Sequence, residues 1–72
     1  MKIYVPVYSN GEPYEDYYEE TKGVGFLTEE KCIEWINSKG YTRVTNGRYT
    51  EYRSNNPDDW TIYWIIEIEV EE

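Results

Sequence analysis

The sequence predicts an α+β domain in which an antiparallel sheet of about four to five strands carries one helix on one face, in the order ββαβββ. Three observations predict it. Residues 2–8 and 60–70 alternate in polarity with period two, as half-buried strands do. Residues 28–38 carry an apolar stripe at helical spacing behind a capping threonine. Asn46-Gly47 separates two strand-like runs, which is the strongest short-range signal for a hairpin.

In the first strand Ile3, Val5 and Val7 point one way and Lys2, Tyr4, Pro6 and Tyr8 the other. Proline has no N–H to donate, so this strand should be an edge or meet a bulge at Pro6. Asn10-Gly11-Glu12-Pro13 is a turn signal. Residues 12–20 hold five acids and three tyrosines and read as a long exposed hairpin arm. Lys22–Leu27 then reads as a short strand.

Thr28 offers its hydroxyl to the free amides of the first helical turn. Glu29 and Glu30 sit where the helix dipole favours negative charge. Leu27 and Cys32 have the spacing of a hydrophobic staple. Cys32, Ile33, Trp35 and Ile36 form the apolar stripe, the helix ends near Ser38, and Gly40 is the expected left-handed stop. Strands over Tyr41–Thr45 and Arg48–Arg53 flank the Asn46-Gly47 turn, and Ser54 to Asp59 is a second turn.

The closing strand is the firmest element. Its even positions, Trp60, Ile62, Trp64, Ile66, Ile68 and Val70, are all apolar, and this face is expected to meet the helix. Its odd positions change from Tyr63 and Ile65 to Glu67, Glu69 and Glu71, so the strand should run out of the covered part of the sheet into solvent.

A chain of 72 residues allows one domain, residues 1–72. At this size only about 60% of the unfolded surface is buried, and disulfides, a metal or oligomerisation usually help. A single cysteine excludes an internal disulfide. The lack of histidine leaves no ordinary zinc ligand set, so no metal or other cofactor is expected. Three Trp, nine Tyr and one Phe supply the core instead, and a homo-oligomer is one way to complete it.

The formal charge of −8 opposes direct binding to nucleic acid or to an anionic membrane. No apolar run approaches the ~20 residues of a membrane span, and the first residues lack a signal peptide's apolar stretch. Together with the lone cysteine, this points to the cytoplasm.

Catalytic constellations are missing. Without histidine there is no Ser-His or Cys-His pair, and Gly23-Val24-Gly25 lacks the remainder of a phosphate-binding loop. A carboxylate dyad is open on composition alone, but a solvated face explains the acids better, and the expected protein is not an enzyme. Cys32 reads as a small buried hydrophobe.

Two acidic groups stand out as partner-binding candidates. One is the arm Tyr14, Glu15, Asp16, Tyr17, Tyr18, Glu19 and Glu20. Tyrosine gives large contact area at low entropic cost, and carboxylates beside it pair with Arg or Lys on a partner. The ordinary reading is a solvated loop. The other is Glu67, Glu69 and Glu71, spaced by about 7 Å along one strand face, comparable with phosphates along a nucleic-acid strand. Its ordinary reading is protection of a strand edge by charge. Arg43, Arg48 and Arg53 lie on or beside the hairpin; their ordinary reading is scattered surface charge, and the alternative is pairing with these glutamates across the sheet.

The run Gly-Val-Gly-Phe-Leu-Thr-Glu-Glu-Lys from Gly23, its helix to Ile36 and the closing strand from Trp60 to Val70 resemble a loose group of short phage and bacterial proteins. Those share a strand, G-x-F-[ST]-E-E-K, helix core. The resemblance covers about half the chain and implies a fold and a phage-like setting, with no functional residues. The Asn46-Gly47 hairpin and the Tyr/Glu arm depart from the shared pattern.

Three functional classes follow. The first is an acidic phage-type protein that inhibits a host protein by occupying its basic surface, such as the nucleic-acid channel of a CRISPR nuclease. The second is an oligomeric small-ligand binder with pockets lined by Tyr63, Ile65 and exposed tyrosines. The third is a structural or regulatory adaptor. Salt-sensitive complex formation would mark the first, and a monomer would count against the second.

Overall fold

A computed structural model describes residues 1–12, 18–47 and 49–71, without the side chains of 46 and 49. The elements are β1 (Lys2–Ser9), β2 (Glu19–Thr21), α1 (Glu29–Ser38), β3 (Tyr41–Asn46), β4 (Tyr49–Ser54) and β5 (Ile62–Glu69). They form an α+β fold: one five-stranded sheet of order β2-β1-β5-β4-β3, antiparallel throughout, with α1 lying against it. The closing strand is the middle strand, as its apolar run implies. Among the described residues no helix is long and apolar enough to cross a membrane.

The sheet accommodates Pro6 by a bulge in the neighbouring segment. Val7 pairs with Thr21 and Tyr4 with Phe26, so two β1 residues face four residues of the other segment. Tyr4 exchanges both backbone hydrogen bonds with Phe26, and Lys22 N–H donates to the Pro6 carbonyl. Even β1 residues therefore aim their backbone groups at this segment. The missing N–H of Pro6 points into the bulge, and β1 keeps an unbroken register with β5 from Lys2↔Glu69 to Ser9↔Ile62. The strand read from sequence over Lys22–Leu27 is instead this bulge: β2 lies earlier, at Glu19–Thr21.

Helix α1 begins where expected. Thr28 is extended at φ −130°, and its hydroxyl accepts from the Lys31 amide at 3.2 Å. Leu27 is 68% exposed while Cys32 is fully buried, so the expected staple does not anchor the entry. Phe26 does so, bonded to Tyr4 and tilted against the Trp35 ring at 6.2 Å between centroids. The helix ends at Ser38 and Gly40 follows with φ +90°.

The β3–β4 hairpin has Asn46 paired with Tyr49, so Asn46 ends β3 rather than standing in the turn with Gly47. Gly47 takes φ +63°, a conformation that costs other L-residues about 1–2 kcal/mol. The turn before β5 is built from side-chain caps: Ser54 Oγ accepts from the Asn56 amide, Asn56 Oδ1 from Asp58, and Asp59 Oδ1 from Thr61.

The core reverses one expectation. Cys32, Ile36, Tyr52 and Tyr63 form its centre, with Tyr4, Tyr8, Phe26, Ile33, Trp35, Tyr41 and Ile65 packed around them. The helix thus covers the odd face of β5, and the wholly apolar even face lies on the other side of the sheet. Tyr63 meets Tyr8, Trp35 and Tyr41 edge-on, at 5.6, 5.9 and 4.7 Å between centroids. The core is rich in tyrosine, and at its margin the Tyr41 hydroxyl bonds that of Thr61.

Candidate functional site

Side-chain direction along β5 sorts the chain into two surfaces. Cross-strand partners share a face, so Lys2, Tyr4, Pro6 and Tyr8 lie with Glu69, Glu67, Ile65 and Tyr63 on the helix side. Ile3, Val5, Val7 and Ser9 lie with Ile68, Ile66, Trp64 and Ile62 on the open side.

The acids collect on the helix side. A depression of about 180 Å³ lined by Glu29, Arg43, Thr50, Tyr52 and Ile65 places the start of α1 over the Tyr52–Ile65 part of the sheet. Beyond Ile65 the same face of β5 carries Glu67 and Glu69, both exposed. Lys2 Nζ lies 3.7 Å from Glu67, and the N-terminal ammonium lies 3.2 Å from Glu69. Exposed pairs of this kind are worth little, so both carboxylates can exchange partners. Glu71 follows β5 and is exposed.

The helix adds Glu29 and Glu30, expected from their place at the positive end of its dipole, and Glu34, which the sequence pattern did not single out. Glu29, Glu30 and Glu34 are exposed and make no ion pair among the described residues. Glu30 and Glu34 are like charges four apart, which a helix tolerates at a small cost. That spacing was the available signal. β5 is also open beside these acids: it pairs with β4 at Tyr52↔Tyr63 and Arg53↔Ile62, with no further pair among the described residues.

In the Tyr/acid arm, Tyr14, Glu15, Asp16 and Tyr17 lie outside the described residues. Tyr18 is exposed and its hydroxyl donates to Glu20 at 2.6 Å, while Lys22 Nζ bonds the other Glu20 oxygen at 2.7 Å. Those two bonds, that of Lys22 first, hold the Glu20 carboxyl below its ordinary pKa. Glu19 belongs to the same edge strand. This end of the arm is a small bonded cluster at the sheet edge, with Lys22 also 5.1 Å above the Tyr8 ring.

Neither Arg43 nor Arg53 bridges to the β5 glutamates. Arg53 pairs with Glu51 on its own strand at 2.7 Å. Arg43 faces the helix side in the depression beside Glu29. Residue 48 lies outside the described residues.

A wider depression of about 500 Å³ opens beside Trp60, which is 75% exposed. Its walls include Gly11, Glu51, Arg53, Asp59 and Thr61. Arg53 is engaged by Glu51 and Asp59 by Thr61, so neither offers an unpartnered charge to a ligand. Tyr63, expected to line a pocket between subunits, is 6% exposed within the helix-side core and is removed from that role. Among the described residues no cluster of three His, Cys, Asp or Glu could hold a metal.

The fold and site together define an α+β domain with an acidic surface. No protein-family model matches the chain, and comparisons with curated proteins and with solved structures find no match.

Proposed function

We propose that this chain is a small acidic interaction protein that occupies a basic surface of another protein and blocks it. The observation that supports the reading is the segregation of charge. Glu29, Glu30 and Glu34 of the helix and Glu67 and Glu69 of β5 share one side of the sheet, while the open side of β1 and β5 is apolar. Carboxylates gathered on one side raise the local negative potential, steer a cationic partner and fix its orientation. A nucleic-acid-binding groove is the partner chemistry that fits best, since its lysines and arginines are spaced for phosphates. A host defence nuclease, CRISPR nucleases included, belongs to that class.

The test is affinity capture from a host lysate with the tagged chain, followed by titration of the captured partner. The complex should weaken steeply as salt rises. Two charge-neutral variants, E67Q/E69Q/E71Q and E29Q/E30Q/E34Q, should each weaken it at least tenfold. Binding that ignores both variants and salt would sink the reading.

A further inference from the structure

The acids of β5 coincide with an open backbone edge. Strand β4 pairs with β5 at Tyr52↔Tyr63 and Arg53↔Ile62. The next partners in that register would be Thr50 and Ile65, which instead line the depression of about 180 Å³. Beyond this fork no described strand pairs with β5 on the β4 side. Val70 N–H donates to the Met1 carbonyl. Bonding direction alternates along an antiparallel strand, so in the unbroken β1–β5 register the even residues of β5 bond toward β1. The odd residues aim their N–H and C=O groups the other way: Tyr63 at Tyr52, and Ile65, Glu67 and Glu69 at the open edge. The middle strand of the sheet is thus an edge strand over Ile65–Glu69, and such an edge is a template for one more strand.

We propose that Ile65–Glu69 of β5 takes up an extended segment of the basic partner as an added antiparallel strand, one in which Lys or Arg alternates with aliphatic residues. The inference rests on the proposed function and names how that partner is held. Alternation along the edge selects the occupant. Cross-strand neighbours share a face, so residues opposite Glu67 and Glu69 lie on the helix side, where a cation pairs with each carboxylate. Lys2 and the N-terminal ammonium approach these carboxylates from β1, on the far side of β5. A carboxylate has lone pairs for a second donor. Residues opposite Ile66 and Ile68 lie on the other face, where an aliphatic side chain covers Ile68, now 38% exposed. Opposite Ile65 the depression has both Arg43 and Glu29 in its walls, which suits an uncharged residue. The same acids bar a second copy from this edge. Two β5 edges paired about a two-fold axis would bring their glutamates together on one face, and like charges set opposite are destabilising. The outer strands lack this pattern: β2 has three residues, and β3 carries the single charge Arg43.

The probe is a capped peptide with Lys-Val-Lys-Val-Thr at its centre and glycine flanks, which sets its lysines opposite Glu69 and Glu67. Titration into the isotope-labelled full chain, followed by amide exchange, reads the added ladder. The amides of Ile65, Glu67 and Glu69 should exchange fast in the free chain and at least tenfold slower with peptide bound. Those of Ile66 and Ile68, bonded toward β1, should change less. N-methylation of both lysine amides removes ladder donors at unchanged charge and should weaken binding at least tenfold. N-methylation of both valine amides, which point away from β5, should weaken it less than threefold. A chain whose amide signals do not move at ~5 mM peptide overturns the proposal. So do two N-methylated forms that bind alike, a result that would leave charge attraction, and with it the proposed function, standing. Failure of that function shows separately, in a lysate complex indifferent to salt and to the glutamine variants.

Discussion

The ring of Trp35, from the helix, meets the ring of Tyr63, from the middle strand, edge-on at 87° with centroids 5.9 Å apart. This contact lies on the side of β5 that is core. It puts a tyrosine where the pattern of the strand alone would have put tryptophan and isoleucine.

The consequence for stability is a reversal of ranking within β5 and its approach. Tyr63→Leu removes edge-on contacts to three rings. At about 0.5–1.5 kcal/mol each beyond area burial, the loss should be about 2–4 kcal/mol. Trp60→Ala, at a larger but exposed side chain, should stay within about 0.5 kcal/mol. Urea unfolding at neutral pH measures both.

Thr28→Ala should cost about 1 kcal/mol, because the amide of Lys31 loses its hydroxyl acceptor. Thr28→Ser should recover most of it. Leu27→Ala, at an exposed position one residue earlier, should change the urea midpoint by less than either.

Burial raises the phenol pKa values of Tyr52 and Tyr63. A folded pKa above the unfolded one means stability is complete below the unfolded value, ordinarily about 10, and is lost as pH rises through the folded one. The urea midpoint should therefore fall on the alkaline side. Absorbance at 295 nm should show these tyrosines ionising late and together with unfolding. Tyr63→Phe should flatten the alkaline limb of the midpoint curve.

The Cys32 thiol is pushed up to about 11, first by burial and then by the negative charge of Glu29. Its thiolate is scarce at neutral pH, and its side chain is fully buried. Reaction with a disulfide reagent at pH 8 should be at least ~100-fold slower in the native chain than in urea. The same shift predicts stability that declines from about pH 8.5 towards pH 11. Cys32→Ala should remove that component. A native rate equal to the urea rate would contradict a buried thiol.

The local elements were legible because each rests on short-range chemistry. The Thr28 hydroxyl, the φ freedom of Gly47, the two acids of the first helical turn and the absent N–H of Pro6 act within a few residues of themselves, and the structure uses all four. Asn46 belongs to β3 rather than to the turn, since a glycine with positive φ serves at either central position of a tight turn. The acidic site was half legible. The β5 glutamates showed in alternation, whereas their grouping with Glu29, Glu30 and Glu34 depends on where the helix lands.

By itself the sequence determined the strands other than β2, the capped helix and the burial of β5, through periodicity and hydrogen-bonding capacity. Only the tertiary structure decided which face of β5 the helix covers. Both faces are apolar from Ile62 to Ile66, so alternation supplies no preference there. The choice falls instead to the crossover: β2 and β3 run parallel at opposite edges, and α1 joins them across the sheet. Such connections have a fixed hand, set by strand twist. That hand places the helix over the tyrosine face and leaves Trp64, Ile66 and Ile68 on the other side of the sheet.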